Sequence, residues 1–172
     1  MVSIDIRDRI LVYVREQAAK PREELIALVA ANQQQFMALI SDVGDDVTAM
    51  QPAVGEWSLR ELTRQVILAQ DSVAAIIESL GRGEAPEDDA LGTAGSMLDD
   101  DGRAFAEHVA RVRETNARVL AAIRALPASP DLSLTALHPW LGPLNCLEWA
   151  ANQIVHDADH VQHARKIIAL VG

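Results

Sequence analysis

The chain has 172 residues, of which 49% are apolar, so it is long enough for one domain with a substantial core. Aromatic residues make up only 3%, which favours helices packed through alanine and branched aliphatic side chains over a β-sheet. The net charge of −10 and the lack of a basic run argue against binding to nucleic acid or to an anionic membrane surface, and no apolar stretch reaches the roughly 20 residues that span a bilayer.

Apolar residues recur at helical spacing in five segments, and loops rich in proline, glycine and acidic residues separate them. The predicted helices cover residues 3–18, 21–43, 58–81, 99–126 and 145–172. The predicted loops cover residues 44–56, 81–97 and 127–144, the last with a short extended piece at 132–137. This pattern predicts an all-α protein in which a short N-terminal helical extension, residues 1–20, precedes a domain of four long helices, residues 21–172.

Three of the predicted helices have recognisable start signals. Ser58 and Glu61 form a capping box, in which each side chain bonds to the other's backbone N–H, and Asn145 and Glu148 repeat the arrangement. The acidic run Asp99–Asp101 suits a helix N-terminus, where carboxylates meet the positive end of the helix dipole. It lacks the glycine and glutamate positions of a calcium-binding EF-hand loop, so we exclude that site.

The N-terminus and the cysteine content indicate the cellular compartment. Charges interrupt residues 1–9, where a signal peptide would need an apolar core. Cys146 is the only cysteine, so no internal disulfide can form, and we predict a cytoplasmic protein. We interpret Cys146 as a small apolar core residue, and a reactive thiol near a helix N-terminus is the alternative.

The last predicted helix carries three histidines at spacings of four and three residues. His156, His160 and His163 fall on one stripe of the helix, with Trp149 and Ile167 at its ends. Two neutral imidazoles four residues apart can hold one metal ion, but a divalent metal needs at least a third protein ligand. The spacing alone is compatible with two interpretations. The histidines either form a metal site or make hydrogen bonds at an interface between helices.

Three other polar residues of the sequence could contribute to such a site. His138 lies in a proline-containing loop and is interpreted as a surface histidine, although such a loop could turn it toward the bundle. His108 is predicted to face solvent on the fourth long helix. Asp157 directly follows His156, so it is expected to point away from the histidine pair and not to act as the glutamate of a zinc protease motif.

Three short motifs in order resemble those of the DinB-like superfamily. Residues 57–61, Trp-Ser-Leu-Arg-Glu, resemble its W-S-x-x-E segment, and residues 138–149 followed by His156-x-x-x-His160 resemble its C-terminal half. The superfamily includes YfiT-type metal-dependent hydrolases and thiol-dependent transferases and isomerases. Over residues 21–171 the resemblance implies a four-helix bundle with a long crossover connection, often a homodimer, with a nickel or zinc site.

The resemblance also implies a ligand set from which this chain departs at one position. His156 and His160 match the two ligands of the last helix, and the third would be a histidine eight residues after Trp57. This chain has Gln65 there. An amide oxygen can bind a metal but is neutral and weaker than imidazole, so the implied site is His156, His160 and, tentatively, Gln65. Its walls are expected to include Trp57 and Trp140.

Two functions follow as alternatives. The first is a metal-dependent enzyme, a hydrolase or a thiol-dependent transferase, that acts on a small molecule with a degenerate ligand set. The second is a non-catalytic relative that has lost the metal and serves as a small-molecule-binding or stress-response protein. Gln65 favours the second and the retained histidine pair favours the first. A homodimer is also expected, because the apolar face of residues 25–40 could exceed what one bundle buries.

Overall fold

A computed structural model describes residues 5–86 and 102–172. Within those two ranges it contains six helices and one two-stranded hairpin. The helices are α1 Ile6–Ala18, α2 Arg22–Ile40, α3 Asp45–Thr48, α4 Leu59–Gly81, α5 Phe105–Ala125 and α6 Cys146–Val171. The strands β1 Ala136–His138 and β2 Gly142–Leu144 pair in antiparallel fashion. None of the described helices is both long and apolar enough to cross a membrane.

The four long helices form the predicted bundle with a crossover connection. Helices α2 and α4 each pack against both α5 and α6, so α2 and α4 stand on opposite sides of the bundle although they are successive long helices. The chain between them, which includes α3, therefore crosses the end of the bundle. Helix α1 packs against α6 and contributes Val14 to the core.

The core is aliphatic, as the composition predicted, and it consists of two apolar clusters. One surrounds Trp149 and Leu25, and the other surrounds Phe36 and Leu62. The apolar face of α2 that suggested a homodimer is largely covered within this single chain. Leu25, Val29, Phe36 and Ile40 are buried, and Leu28 and Leu39 are half-buried.

Two predicted capping boxes are present and fix the helices that carry the site. The Ser58 hydroxyl accepts the Glu61 backbone N–H at 3.2 Å, and the Glu61 carboxylate accepts the Ser58 N–H at 2.7 Å. The Asn145 side chain accepts the Glu148 N–H at 3.1 Å, and the Glu148 carboxylate accepts the Asn145 N–H at 2.9 Å. These bonds satisfy backbone donors that a helix start leaves open.

Some predicted boundaries were wrong. Helix α5 begins at Phe105 and not at Asp99, because Gly102 has a φ of 69°, outside the right-handed helical region. Asp45 then accepts the Phe105 N–H at 3.0 Å. The run Asp99–Asp101, and with it the excluded calcium loop, lies outside the described residues. Helix α2 ends at Ile40 and not near residue 43, and the extended piece predicted at 132–137 corresponds to β1 Ala136–His138, which overlaps it only at its last two residues.

Candidate metal site

The imidazoles of His156 and His160 meet at their Nε2 atoms. These two nitrogens are 3.1 Å apart, and the rings stand nearly perpendicular to each other. His160 is 7% exposed. Its burial, together with the nearby His156 and His163, lowers its pKa to about 3. His160 is therefore neutral at physiological pH, the state in which a ring nitrogen can donate its lone pair to a metal.

Gln65 of α4 lies in the same cleft as His160. Its Oε1 is buried and has no hydrogen-bond partner among the described residues. An uncompensated buried carbonyl oxygen is costly, so this atom is available to a ligand. The cleft has a volume of about 470 Å³. Its lining consists of Gly55, Glu56, Trp57, Gln65, Asp159, His160, His163 and Lys166.

The spacing of the two imidazoles fits a divalent metal, and Gln65 adds a buried amide oxygen to the cleft that His160 lines. Two nitrogens 3.1 Å apart can both bond to one zinc ion at the usual distance of about 2.0–2.1 Å. Within residues 5–86 and 102–172, no three side chains of His, Cys, Asp or Glu converge on a point. Glu61 is held at its cap, and Asp71 bonds to Arg111 and Arg118, as expected for carboxylates outside the site.

His163 and Trp57 form one wall of the cleft. The imidazole stacks on the indole with ring centroids 6.0 Å apart and planes 19° from parallel. This contact holds His163 of α6 against Trp57, which lies just before the first residue of α4. At the rim, the Lys166 ammonium pairs with the Glu56 carboxylate at 3.0 Å. Trp140, which was expected to be a wall, is 50% exposed in the hairpin turn and is not among the residues that line this cleft.

His138 is not a simple surface residue, contrary to the first interpretation. Its ring is 5.2 Å from that of Trp149, and its Nδ1 accepts the backbone N–H groups of Trp140 and Leu141 at 3.2 and 3.0 Å. Burial and the nearby His156 lower its pKa. The neutral ring therefore carries its proton on Nε2, so neither nitrogen is available to a metal. His138 instead fixes the hairpin against α6.

His108 is buried, and its predicted exposure was wrong. The side chain is 3% exposed and its ring lies 6.4 Å from that of Phe105. Helices α2 and α4 both cover α5. The face of α5 that is exposed to solvent is therefore narrower than that of a helix covered by one neighbour only. Its spacing from Phe105, Val112 and Thr115, at three, four and seven residues, puts His108 on the buried stripe and could have revealed this.

Asp157 is the site residue that sequence reasoning missed. It was expected to point away from the histidine pair, yet it is 2% exposed and its Oδ1 lies 3.8 Å from Nδ1 of His156. Burial raises the pKa of this carboxyl group, and the adjacent His156 and Gln70 partly oppose that rise. Its spacing of three and four residues from the buried Ile154 and Val161 puts Asp157 on the apolar stripe of α6, and this spacing could have revealed its burial.

Cys146 belongs to the apolar core. It has no exposed surface, and its burial raises the pKa of the thiol. A raised pKa keeps the thiol protonated and unreactive at neutral pH. The reading as a core residue therefore fits the structure better than the alternative of a reactive thiol.

Comparisons with known proteins agree with this architecture. The four-helix bundle protein TT2238 is 20% identical, with a TM-score of 0.64 over 85% of this chain and 99% of that one. YfiT from Bacillus subtilis, described as a probable metal-dependent hydrolase with an unusual four-helix bundle topology, is 11% identical, with a TM-score of 0.64 over 98% and 90%. No curated protein matches the chain with significant sequence similarity. The sequence profile of the DinB superfamily matches residues 13–164, and the chain therefore belongs to the DinB superfamily.

Proposed function

We propose that this chain binds one divalent metal ion, zinc or nickel, through His156, His160 and Gln65. The observation that carries the proposal is the convergence of the two Nε2 atoms at 3.1 Å, together with the buried, unpartnered amide oxygen of Gln65, which lines the same cleft as His160. The description of YfiT as a probable metal-dependent hydrolase supports it, because that protein shares the fold. Three protein donors leave coordination positions open to water or substrate, as catalytic sites require.

The cleft suits metal-dependent chemistry on a small molecule, either hydrolysis or a thiol-dependent transfer. Its volume of about 470 Å³ is within the usual range for small-molecule pockets, about 300–1,000 Å³. A bound ion would act as a Lewis acid or activate water. The stacked rings of Trp57 and His163 offer a flat wall for an apolar part of the substrate, and the Lys166–Glu56 pair offers charged groups at the rim.

A second candidate is a non-catalytic bundle that binds a small molecule in the same cleft without a metal. Gln65 favours it, because a neutral amide holds zinc or nickel more weakly than a third imidazole would. The two candidates differ in whether the purified wild-type chain takes up stoichiometric metal.

Calorimetric titration of the metal-free, untagged chain with zinc should show one ion per chain, and Gln65→His should tighten binding by about 10-fold. Four-ligand zinc sites are worth about 10–16 kcal/mol, so one good ligand contributes about 3 kcal/mol, and replacing a weak amide donor should gain about half of that. The imidazole would replace the weakest donor of the set.

Gln35→His is the matched control, because it adds a histidine at an exposed glutamine of α2 outside the cleft. It should leave zinc affinity unchanged. Sub-stoichiometric uptake by the wild type, with none gained by Gln65→His, would support the non-catalytic candidate. Equal gains in both variants would show that position 65 does not face the histidine pair.

A further inference from the structure

A buried polar layer separates the two apolar clusters of the bundle. Each of the four long helices supplies at least one residue to this layer. That residue lies at the point along the helix where the apolar side chains change from one cluster to the other. The layer consists of Gln33 of α2, Gln70 of α4, Thr115 and Asn116 of α5, and Gln153 and Asp157 of α6. An ionisable side chain at the centre of a bundle is costly unless it has polar neighbours, and this layer provides them for Asp157.

Hydrogen bonds within the layer fix the side chain of Gln70. Its Nε2 donates to Asn116 Oδ1 at 2.7 Å, and its Oε1 accepts the Thr115 hydroxyl at 2.6 Å. Gln70 also interacts with the Asp157 carboxyl group. Asp157 is therefore in contact with a side chain that is itself held by α5.

Asp157 presents a carboxylate oxygen to the unpartnered Nδ1 of His156. Asp157 Oδ1 lies 3.8 Å from His156 Nδ1, and this nitrogen is buried without a hydrogen bond in the described part of the chain. A separation of 3.8 Å is longer than a hydrogen bond, but a side-chain shift of less than 1 Å would bring it into range. Nδ1 of His160 is equally buried, and among residues 5–86 and 102–172 it has neither a hydrogen-bond partner nor a paired carboxylate.

Asp157 lies near Nδ1 of His156 but not near Nδ1 of His160, and this difference decides which nitrogen of each ring carries the proton. A neutral imidazole has one N–H, and an N–H buried without an acceptor is costly. If His156 carries its proton on Nδ1, Asp157 can accept it, whether or not the carboxyl group is itself protonated. His156 Nε2 then accepts the bond from Nε2–H of His160 across the observed 3.1 Å. The reverse assignment would place the Nδ1 proton on His160, where no carboxylate receives it.

We propose that Asp157 is a positioning residue that holds His156 in its Nδ1–H tautomer, so that the Nε2 lone pair of His156 is directed at Nε2 of His160 before any ligand arrives. Binding of one metal ion by both Nε2 atoms would then require the His160 proton to leave Nε2. The consequence for metal affinity rests on the proposed function, whereas the tautomer does not. Ligating histidines generally donate their second N–H to a carboxylate or carbonyl, and loss of that acceptor typically weakens metal binding by about 10- to 100-fold.

Long-range proton–nitrogen NMR spectra of metal-free chain with isotope-labelled histidine test the tautomer directly. His156→Gln assigns the ring signals. The wild type should show His156 protonated at Nδ1 and His160 protonated at Nε2. Asp157→Leu, which keeps the side-chain volume but removes the acceptor, should shift His156 toward the Nε2–H form. Asp157→Asn, whose amide oxygen can still accept, should preserve the wild-type tautomer. His156 protonated at Nε2 in the wild type, or a tautomer that is unchanged in Asp157→Leu, would overturn the proposal.

Zinc titration of the same variants separates this inference from the proposed function. Asp157→Leu should weaken binding by about 10- to 100-fold, and Asp157→Asn by less. Asp42→Leu removes a carboxylate from an exposed position after α2 and should leave the affinity unchanged. Equal losses in Asp157→Leu and Asp42→Leu would indicate an effect of net charge and overturn the positioning role. A wild type that binds no zinc but shows the Nδ1–H tautomer would refute the metal site and leave the role of Asp157 standing.

Discussion

Replacing both His156 and His160 with alanine is expected to lower zinc affinity by about 10,000-fold. Each imidazole contributes about 3 kcal/mol, and the two act on the same ion, so their loss together costs about 5–6 kcal/mol. The remaining donor, Gln65, is neutral and too weak to retain the ion by itself. Calorimetric titration of the metal-free double variant beside the wild type measures the difference.

Gln162→Ala serves as the control because it changes an exposed residue of the same helix that does not line the cleft. It should bind zinc as the wild type does. Circular dichroism should confirm that the double variant keeps its helices. If the folded double variant still binds one zinc ion with wild-type affinity, the ion binds elsewhere on the chain.

Trp149→Ala is expected to cost about 3–5 kcal/mol of the free energy of unfolding. Trp149 is 1% exposed, its Nε1 donates to the Ala136 carbonyl at 3.3 Å, and its ring contacts His138. Truncation removes a large buried ring, leaves a cavity and releases the hairpin from α6. Because small domains are stable by only about 5–15 kcal/mol, the loss is a large fraction of the total, and urea denaturation should show it as a lower midpoint.

Trp140→Ala provides the comparison within the same region. Trp140 is 50% exposed, and its substitution should change the free energy of unfolding by about 0.5 kcal/mol or less. Similar losses in the two variants would mean that Trp149 does not anchor the hairpin as its burial indicates.

Local sequence signals predicted the elements that position the site. The capping boxes at Ser58 and Asn145 start the two helices that carry the candidate ligands, and their pattern is visible because it depends on residues three positions apart. The four-residue spacing of His156 and His160 likewise placed both rings on one side of α6, where they meet. These features depend on one helix at a time.

Features that depend on several helices could not be predicted in the same way. The buried bonds from Gln70 of α4 to Thr115 and Asn116 of α5 join residues that lie more than 40 positions apart in the chain. The start of α5 depends on Asp45 of the distant α3, which caps the Phe105 N–H. Spacing within one segment carries no information about such neighbours.

Position 65 illustrates what the family resemblance adds to spacing. The histidine pair indicates two donors, and nothing within α6 identifies the third. The resemblance implies a ligand eight residues after Trp57, and Gln65 does share the cleft with His160. Its unpartnered Oε1 is the structural reason to include it in the proposed ligand set.

The X-ray absorption spectrum of the zinc-loaded, untagged chain tests the proposed ligand set most directly. Scattering from imidazole rings counts the histidine ligands, and sulfur ligands are recognised by their longer bonds of about 2.3 Å. The proposed site predicts two imidazoles, with oxygen donors in the remaining positions and no sulfur. A spectrum with fewer than two imidazoles, or with a sulfur ligand from Cys146, would contradict it.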